Sequence, residues 1–262
     1  MDLGLTGKIA LLTGASRGLG LATAQALAKE GTRLAINSRS EEHLAEARTQ
    51  LEATGAEVIT LPGDVTQPGT PKKLVDATVE AFGGLDLLFT NAGGPPPSAF
   101  EEIEEETWGQ AIDLSFMSHV RLIRAALPFL RKSDSPSVLT VTSISIKQPI
   151  PNLVLSNSIR AATAGLTKTL ALELGPDGIR FNSILPSWTH TQRIEELLAD
   201  RAARRGTTVE EEIEAQNELS PLGRIGTPEE FANAAAFLLS PAASYITGVM
   251  LNVDGGTYKG LF

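Results

Sequence analysis

Residues Ser137 to Leu174 read SVLTVTSISIKQPIPNLVLSNSIRAATAGLTKTLALEL. Val138 to Val141 is a short apolar, β-branched run of the kind that is covered on both faces in a parallel sheet. Thr142 and Ser143 end it, a Pro-bearing loop follows, and a long helix is expected to start near Leu153. That helix is expected to carry Ala161, Gly165 and Ala171 on its packed faces. In a parallel α/β sheet, ligands sit beyond the carboxyl ends of the strands, where the strand order reverses. A strand that ends in Ser143 and feeds a helix with small residues is a candidate for that place.

Similar runs recur on both sides of it. Lys8–Thr13, Arg33–Asn37, Glu57–Leu61, Leu85–Thr90, Ile179–Ile184 and Val249–Val253 are each short and apolar, and helical patterns separate them. The helices carry their own signals. Pro71 after Thr70 and Pro228 after Thr227 place proline at the first helical position behind a capping threonine, and Thr227 with Glu230 forms a capping box. Gly83–Gly84 closes one helix; on another, Ile112, Phe116, Val120, Ile123 and Leu127 form an apolar stripe. Strand–helix alternation over the whole length predicts one α/β domain, 1–262. It is a doubly wound, Rossmann-like fold with a seven-stranded parallel sheet and helices on both faces. The charged stretch from about 190 to 221 stands outside the alternation. Ile194, Leu197 and Leu198 share a face there, Gly206 breaks it, and Thr208 with Glu211 forms a second capping box. It reads either as a short helical lid over the carboxyl edge of the sheet or as a solvated surface excursion.

Composition narrows the function. A formal net charge of −9 argues against a nucleic-acid partner, although a local pocket can still be positive. Zero Cys and three scattered His (His43, His119, His190) argue against disulfides and a metal site. No apolar run approaches the roughly 20 residues of a membrane span. The N-terminus has no basic, apolar leader, so a cytoplasmic location is expected.

The first run leads into Gly14-Ala15-Ser16-Arg17-Gly18-Leu19-Gly20 and then a helix. Glycines let a backbone turn tightly against a pyrophosphate, whose charge is met by amides at the helix N-terminus. At the end of the second run, an acid would hold an adenosine ribose 2′-hydroxyl. This chain has Asn37-Ser38-Arg39 instead. Arg39 and Arg17 could grip a 2′-phosphate, which predicts NADP(H) in preference to NAD(H). The bland alternative is two surface arginines at helix starts.

With these residues in place, the chain resembles the short-chain dehydrogenases/reductases over essentially its full length. The likeness rests on Thr13–Gly20, Asp64-Val65, Asn91-Ala92-Gly93, Arg180-Phe181-Asn182, Gly223-Arg224 and Val253-Asp254-Gly255-Gly256, in the family's order. It implies that Asp64 and Val65 hold the adenine and that Asn91, Ala92 and Gly93 support the cofactor cleft. Pro186 would flank that cleft, and Thr191 would meet the nicotinamide carboxamide. It also implies a homo-oligomer, a tetramer or a dimer. The same resemblance exposes a departure. Family members use Asn, Ser, Tyr and Lys for hydride transfer. Ser143 is in register for the serine, but Ser156 stands at the tyrosine position, Arg160 at the lysine and Ser115 at the asparagine, and Ser187 follows Pro186 where a glycine is usual. In that register Ser156 and Arg160 would face the nicotinamide ribose, with Arg160 counted among the cofactor-binding residues. An aliphatic hydroxyl is a far weaker acid than a phenol, and Arg does not release its proton.

Three functions are compatible with these residues. The first is an NADP(H)-dependent oxidoreductase for a small or medium carbonyl or alcohol, with its proton drawn from His190 or from water held by Ser143 and Ser156. The second is a catalytically silent nucleotide- or metabolite-binding protein on the same scaffold. The third is a cofactor-free lyase. Halohydrin dehalogenases of this fold pair Ser and Tyr with Arg, but they lack the dinucleotide loop kept here, so the lyase ranks last.

Overall fold

The computed structural model describes residues 2–261. Its seven strands are β1 (Ile9–Leu12), β2 (Arg33–Ser38), β3 (Val58–Pro62), β4 (Leu87–Thr90), β5 (Ser137–Val141), β6 (Arg180–Pro186) and β7 (Met250–Val253). They form one sheet in the order β3-β2-β1-β4-β5-β6-β7, and every neighbouring pair is parallel. The order reverses between β1 and β4, so a crevice opens beyond the carboxyl ends of those two strands. This is the doubly wound sheet expected from the alternation.

The helices are α1 (Gly18–Lys29), α2 (Glu41–Glu52), α3 (Thr70–Phe82), α4 (Glu105–Ile112), α5 (Ser118–Leu130), α6 (Val154–Glu173), α7 (Gln192–Arg205), α8 (Val209–Leu219) and α9 (Pro228–Leu239). On one face of the sheet, Ala24 and Leu27 of α1, Leu44 and Leu51 of α2, and Phe231 and Leu238 of α9 pack on Leu12, Ile36 and Phe89. On the other, Leu74 of α3, Leu122 and Ala126 of α5, and Ala171 of α6 pack on Leu11, Leu88 and Phe181. Two buried layers of apolar side chains therefore hold the sheet. Each full side-chain burial is worth roughly 1.5–3 kcal/mol against the entropy of ordering the chain.

Local chemistry explains the ends of these elements. Thr227 accepts the Glu230 amide at 3.3 Å while the Glu230 carboxylate accepts the Thr227 amide at 2.9 Å, and Thr208 and Glu211 repeat the exchange at α8. Gly83 and Gly206 end α3 and α7 in the left-handed region, at φ 86° and 70°. The motif residues also have structural work. Arg180 donates to the carbonyls of Leu238, Leu239 and Ser240, closing the C-terminus of α9. Asn182 clamps the segment before β7 through Ile246 and Val249. Asp254 accepts the Gly256 and Tyr258 amides and shapes the turn after β7.

Three expectations need correction. Gly69, not Thr70, caps α3, so Pro71 sits one position further in. Ala161 and Gly165 face outward on α6; its packed positions are Leu155, Ile159, Thr163, Ala164, Thr167 and Ala171. The stripe from Ile112 to Leu127 is not one buried face, because Asp113–Met117 form a π-helical turn between α4 and α5. The extra residue rotates the helix beyond it, so Ile123 is buried, Phe116, Val120 and Leu127 are half-buried, and Ile112 is 41% exposed.

Candidate active site

The crevice is built from β1 and β4 outward. Beyond β1 the chain turns at Gly14 (φ 59°) and Gly18 (φ 56°) before entering α1. A side chain on Gly20 would put its Cβ 2.1 Å from the Gly14 carbonyl oxygen, so helix and turn touch backbone to backbone. Ser16 and Arg17 lead directly into α1, whose first-turn amides at Gly18 and Leu19 form a cradle that suits a pyrophosphate. Beyond β4, Asn91 fixes this turn to its neighbour. Its amide donates to the Thr13 hydroxyl at 3.0 Å, the Thr13 hydroxyl donates to the Asn91 carbonyl at 2.9 Å, and its side chain donates to the Gly14 carbonyl at 3.2 Å. Ala92 is buried, and Gly93 follows as a hydrogen-bond acceptor.

The other cofactor candidates stand around the same edge. Asn37 is buried and donates to Leu61 and Gly63, Ser38 is half-buried, and Arg39 is exposed. Asp64 accepts both the amide and the hydroxyl of Thr66, at 2.9 and 2.8 Å, and Val65 is buried beside it. Pro186 ends β6, and Thr191 caps α7 by accepting from Ile194. A Cβ on Gly18 would lie 3.5 Å from the Thr191 methyl, so α7 starts directly against the phosphate turn. Arg17 donates to Gln192 of α7 at 2.7 Å and Arg193 donates to the Pro95 carbonyl at 2.9 Å. The first turn of α7 thus touches both the turn after β1 and the loop after β4.

Among the catalytic candidates, Ser143 opens a 3-10 turn (Ile144–Ile146), and its hydroxyl oxygen accepts the Ser145 amide at 3.1 Å, leaving its proton free to donate. Ser156 and Arg160 are one turn apart on α6, which packs on that 3-10 turn. The Ser156 hydroxyl makes no hydrogen bond among the described residues. Arg160 is only 8% exposed, and its guanidinium donates to the carbonyls of Val141 (3.0 Å), Thr142 (3.2 Å) and Gly93 (3.3 Å). It braces the ends of β4 and β5. Ser115 lies in the π-helical turn, buried, with a hydroxyl that has no partner among the described residues. Such a turn inside a helix is frequently found at functional sites. His190 is exposed and pinned by its amide to Gly226, and among the described residues no hydrogen bond joins its ring to Ser143, Ser156 or Arg160. The Ser187 hydroxyl is buried and without a partner among the described residues, at the wall of a cavity of about 130 Å³ beneath α8.

The sequence reading missed two members of this cluster. His119 is buried, its Nδ1 lies 2.7 Å from the Thr90 hydroxyl, and burial together with the nearby Arg160 charge pushes it down to about 3, so the ring is neutral. Arg193 stands against Gly94 beside Arg160. His119 could have been found from its position four residues after Ser115 on a sheet-packed helix; Arg193 carried no signal beyond its place after Thr191.

Residues 14–258 match a family model described as enoyl-(acyl carrier protein) reductase. Dehydrogenase/reductase SDR family member 4 of Homo sapiens is 33% identical over 254 residues, covering 97% of this chain and 88% of that protein. The 2,5-dichloro-2,5-cyclohexadiene-1,4-diol dehydrogenase LinX of Sphingobium indicum is 33% identical over 257 residues, 98% of each. Among solved structures, L-sorbose reductase from Gluconobacter frateurii, complexed with NADPH and L-sorbose, superposes with a TM-score of 0.94 at 34% identity over 100% of both chains. A second, a point variant of actinorhodin polyketide ketoreductase with NADPH, has a TM-score of 0.93 at 29% identity, covering 97% of this chain and 98% of that one.

Proposed function

The chain belongs to the short-chain dehydrogenase/reductase family of oxidoreductases, and from that premise we propose that it is an NADP(H)-dependent reductase of a small or medium carbonyl compound. The dinucleotide supplies the hydride. The cradle from Gly14 to Gly20 holds its pyrophosphate, and Asp64, Val65 and Asn91 to Gly93 line the adenosine and ribose path. Pro186 and Thr191 close on the nicotinamide, and Arg39 with Arg17 selects the 2′-phosphate. The observation that carries this reading is the backbone contact of Gly20 on Gly14, since only a bare turn admits a pyrophosphate so close to the helix. The relatives solved with NADPH support it.

In this reading the tyrosine and lysine of the family are replaced by Ser156 and Arg160, and the asparagine by Ser115. Ser143 donates a hydrogen bond to the carbonyl oxygen, and Ser156 holds the water that delivers the proton. Water is favoured over His190, whose ring is exposed and unconnected to the cluster by hydrogen bonds among the described residues. The segment 190–221 acts as a lid, and the protein works in the cytoplasm as a homo-oligomer. One observation favours a second reading, a catalytically silent nucleotide binder: Arg160 donates to the main-chain carbonyls of Val141, Thr142 and Gly93, and the family's phenol is replaced by the hydroxyl of Ser156.

Titration with NADPH and NADH at moderate salt tests the proposal. NADPH is expected to bind more tightly, and Arg39→Ala to narrow the gap. Equal affinities in the wild type would overturn the phosphate assignment, and no binding of either would overturn the reductase.

A further inference from the structure

Arg160 and Arg193 come from different elements, α6 and the first turn of α7, yet they meet at one point. A Cβ built on Gly94 would lie 3.4 Å from Nη2 and 3.7 Å from Nε of Arg193, and 3.9 Å from Nη2 of Arg160. Among the described residues neither guanidinium has a carboxylate partner; their hydrogen bonds go to the carbonyls of Val141, Thr142, Gly93 and Pro95. His119, which senses the Arg160 charge, is neutral. Burial, and after it the proximity of Arg193, lowers Arg160 to about 10. Buried or half-buried like charges persist when something of opposite sign completes them.

We propose that Arg160 and Arg193, with the bare backbone of Gly94 between them, form a site for an anionic group of the substrate, a carboxylate or phosphate. This rests on the reductase reading above and gives its substrate class: a carbonyl compound that carries an acid. Planar guanidiniums from two directions match the oxygens of a carboxylate or phosphate. Gly94 and Arg160 set this site on the β5 side of the crevice, while Arg193 reaches it from the turn of α7 that begins at the pyrophosphate cradle. Gly94 follows β4, and Arg160 is anchored on the end of β5, the strand that leads into Ser143, while the cradle lies beyond β1 on the other side of β4. An acid held there stands beside Ser143. Gly94 is not in the left-handed region, so its lack of a side chain is not demanded by the backbone; it leaves the gap open.

The test uses 4-oxopentanoate, its methyl ester and inorganic phosphate as probes, with binding read by calorimetry on NADPH-loaded and cofactor-free protein. The free acid is expected to bind the loaded protein at least about tenfold more tightly than the ester, the factor one charged hydrogen bond supplies. Arg193→Gln is expected to remove that difference, and Arg193→Lys to keep part of it. Gly94→Ala, whose added methyl makes only ordinary contacts, is expected to weaken the acid by filling the gap. Arg193→Gln is expected to cost the acid more affinity than it costs NADPH, since the acid meets this guanidinium directly. Acid and ester binding alike in the wild type would overturn the proposal. So would an equal loss of NADPH and acid in Arg193→Gln, which assigns the pair to the cofactor's phosphates. If NADPH fails to bind, the reductase reading falls, and phosphate binding to cofactor-free wild type but not to Arg193→Gln still decides whether the pair is an anion site.

Discussion

At the scale of the residue, the molecule depends on a few places where one side chain, or the lack of one, fixes the crevice. Gly20 lets α1 rest on the Gly14 carbonyl, and Asn91 ties the resulting turn to β4. Both were legible in the sequence, because spacing and order carry them. Arg160 was legible only in part. Its register marked it as central, but register does not reveal that its donors turn inward to Val141, Thr142 and Gly93. His119 and Arg193 escaped because each acts through neighbours distant in sequence. If Ser115, Ser156 and Arg160 occupy the positions of the relay, Ser115→Asn with Ser156→Tyr and Arg160→Lys should raise NADPH-dependent reduction of diketones by about 10²–10⁴-fold, the usual contribution of a positioned acid. Following NADPH absorbance with the purified triple variant measures this. A variant that folds, binds NADPH and gains nothing would show the register to be wrong.

Elements repeat the pattern one level up. Strand positions were readable because burial on both faces leaves consecutive apolar residues, and the observed strands differ from the expected ones by a residue or two at their ends. The π-helical turn at Asp113–Met117 was not readable, since one extra residue leaves the local composition helical while shifting the face presented after it. Helix α9 is held at both ends, by the Thr227–Glu230 exchange and by Arg180. Thr227→Ala should therefore cost about 0.5–2 kcal/mol, seen as a lower urea midpoint with an unchanged slope. The Arg224 guanidinium and the Thr227 amide hold the Glu230 carboxyl down to about 2 from an ordinary 4.5. Its folded pKa is the lower one, so its contribution is complete above pH 4.5 and is lost as pH falls toward 2. In Glu230→Gln the acid limb of the stability profile should flatten over that window, by a small amount because the pair is exposed to solvent.

For the whole molecule, the features left over point to association. Ile112 on α4 and Leu172 on α6 are 41% and 69% exposed, Phe116, Val120, Leu166 and Leu170 are only half-covered, and Ala161 and Gly165 are exposed on α6. These are the helices whose apolar surface exceeds what the sheet can cover, and their small residues allow close approach of a second copy. Leu261 near the C-terminus is exposed as well, while Phe262 lies outside the described residues. Light scattering at micromolar concentration should give a multiple of 27.7 kDa, and Leu172→Glu should lower it. A wild-type mass of one chain would refute the assembly. Among the described residues no helix is long and apolar enough to cross a membrane.

The packing of α1 against α9 has a consequence for how the protein is made. Ala24 and Leu27 emerge from the ribosome near the beginning of synthesis, and their partners Phe231, Ala235 and Leu238 near its end. Until those residues appear, a nascent chain with four or five strands already laid down covers that layer with α1 and α2 alone and leaves the part beneath α9 bare. At roughly 5–20 residues per second, that interval lasts on the order of five to thirty seconds. During it the growing chain is a client for chaperones and a target for proteases, and a message cut short anywhere before Pro228 yields a product that cannot shield itself.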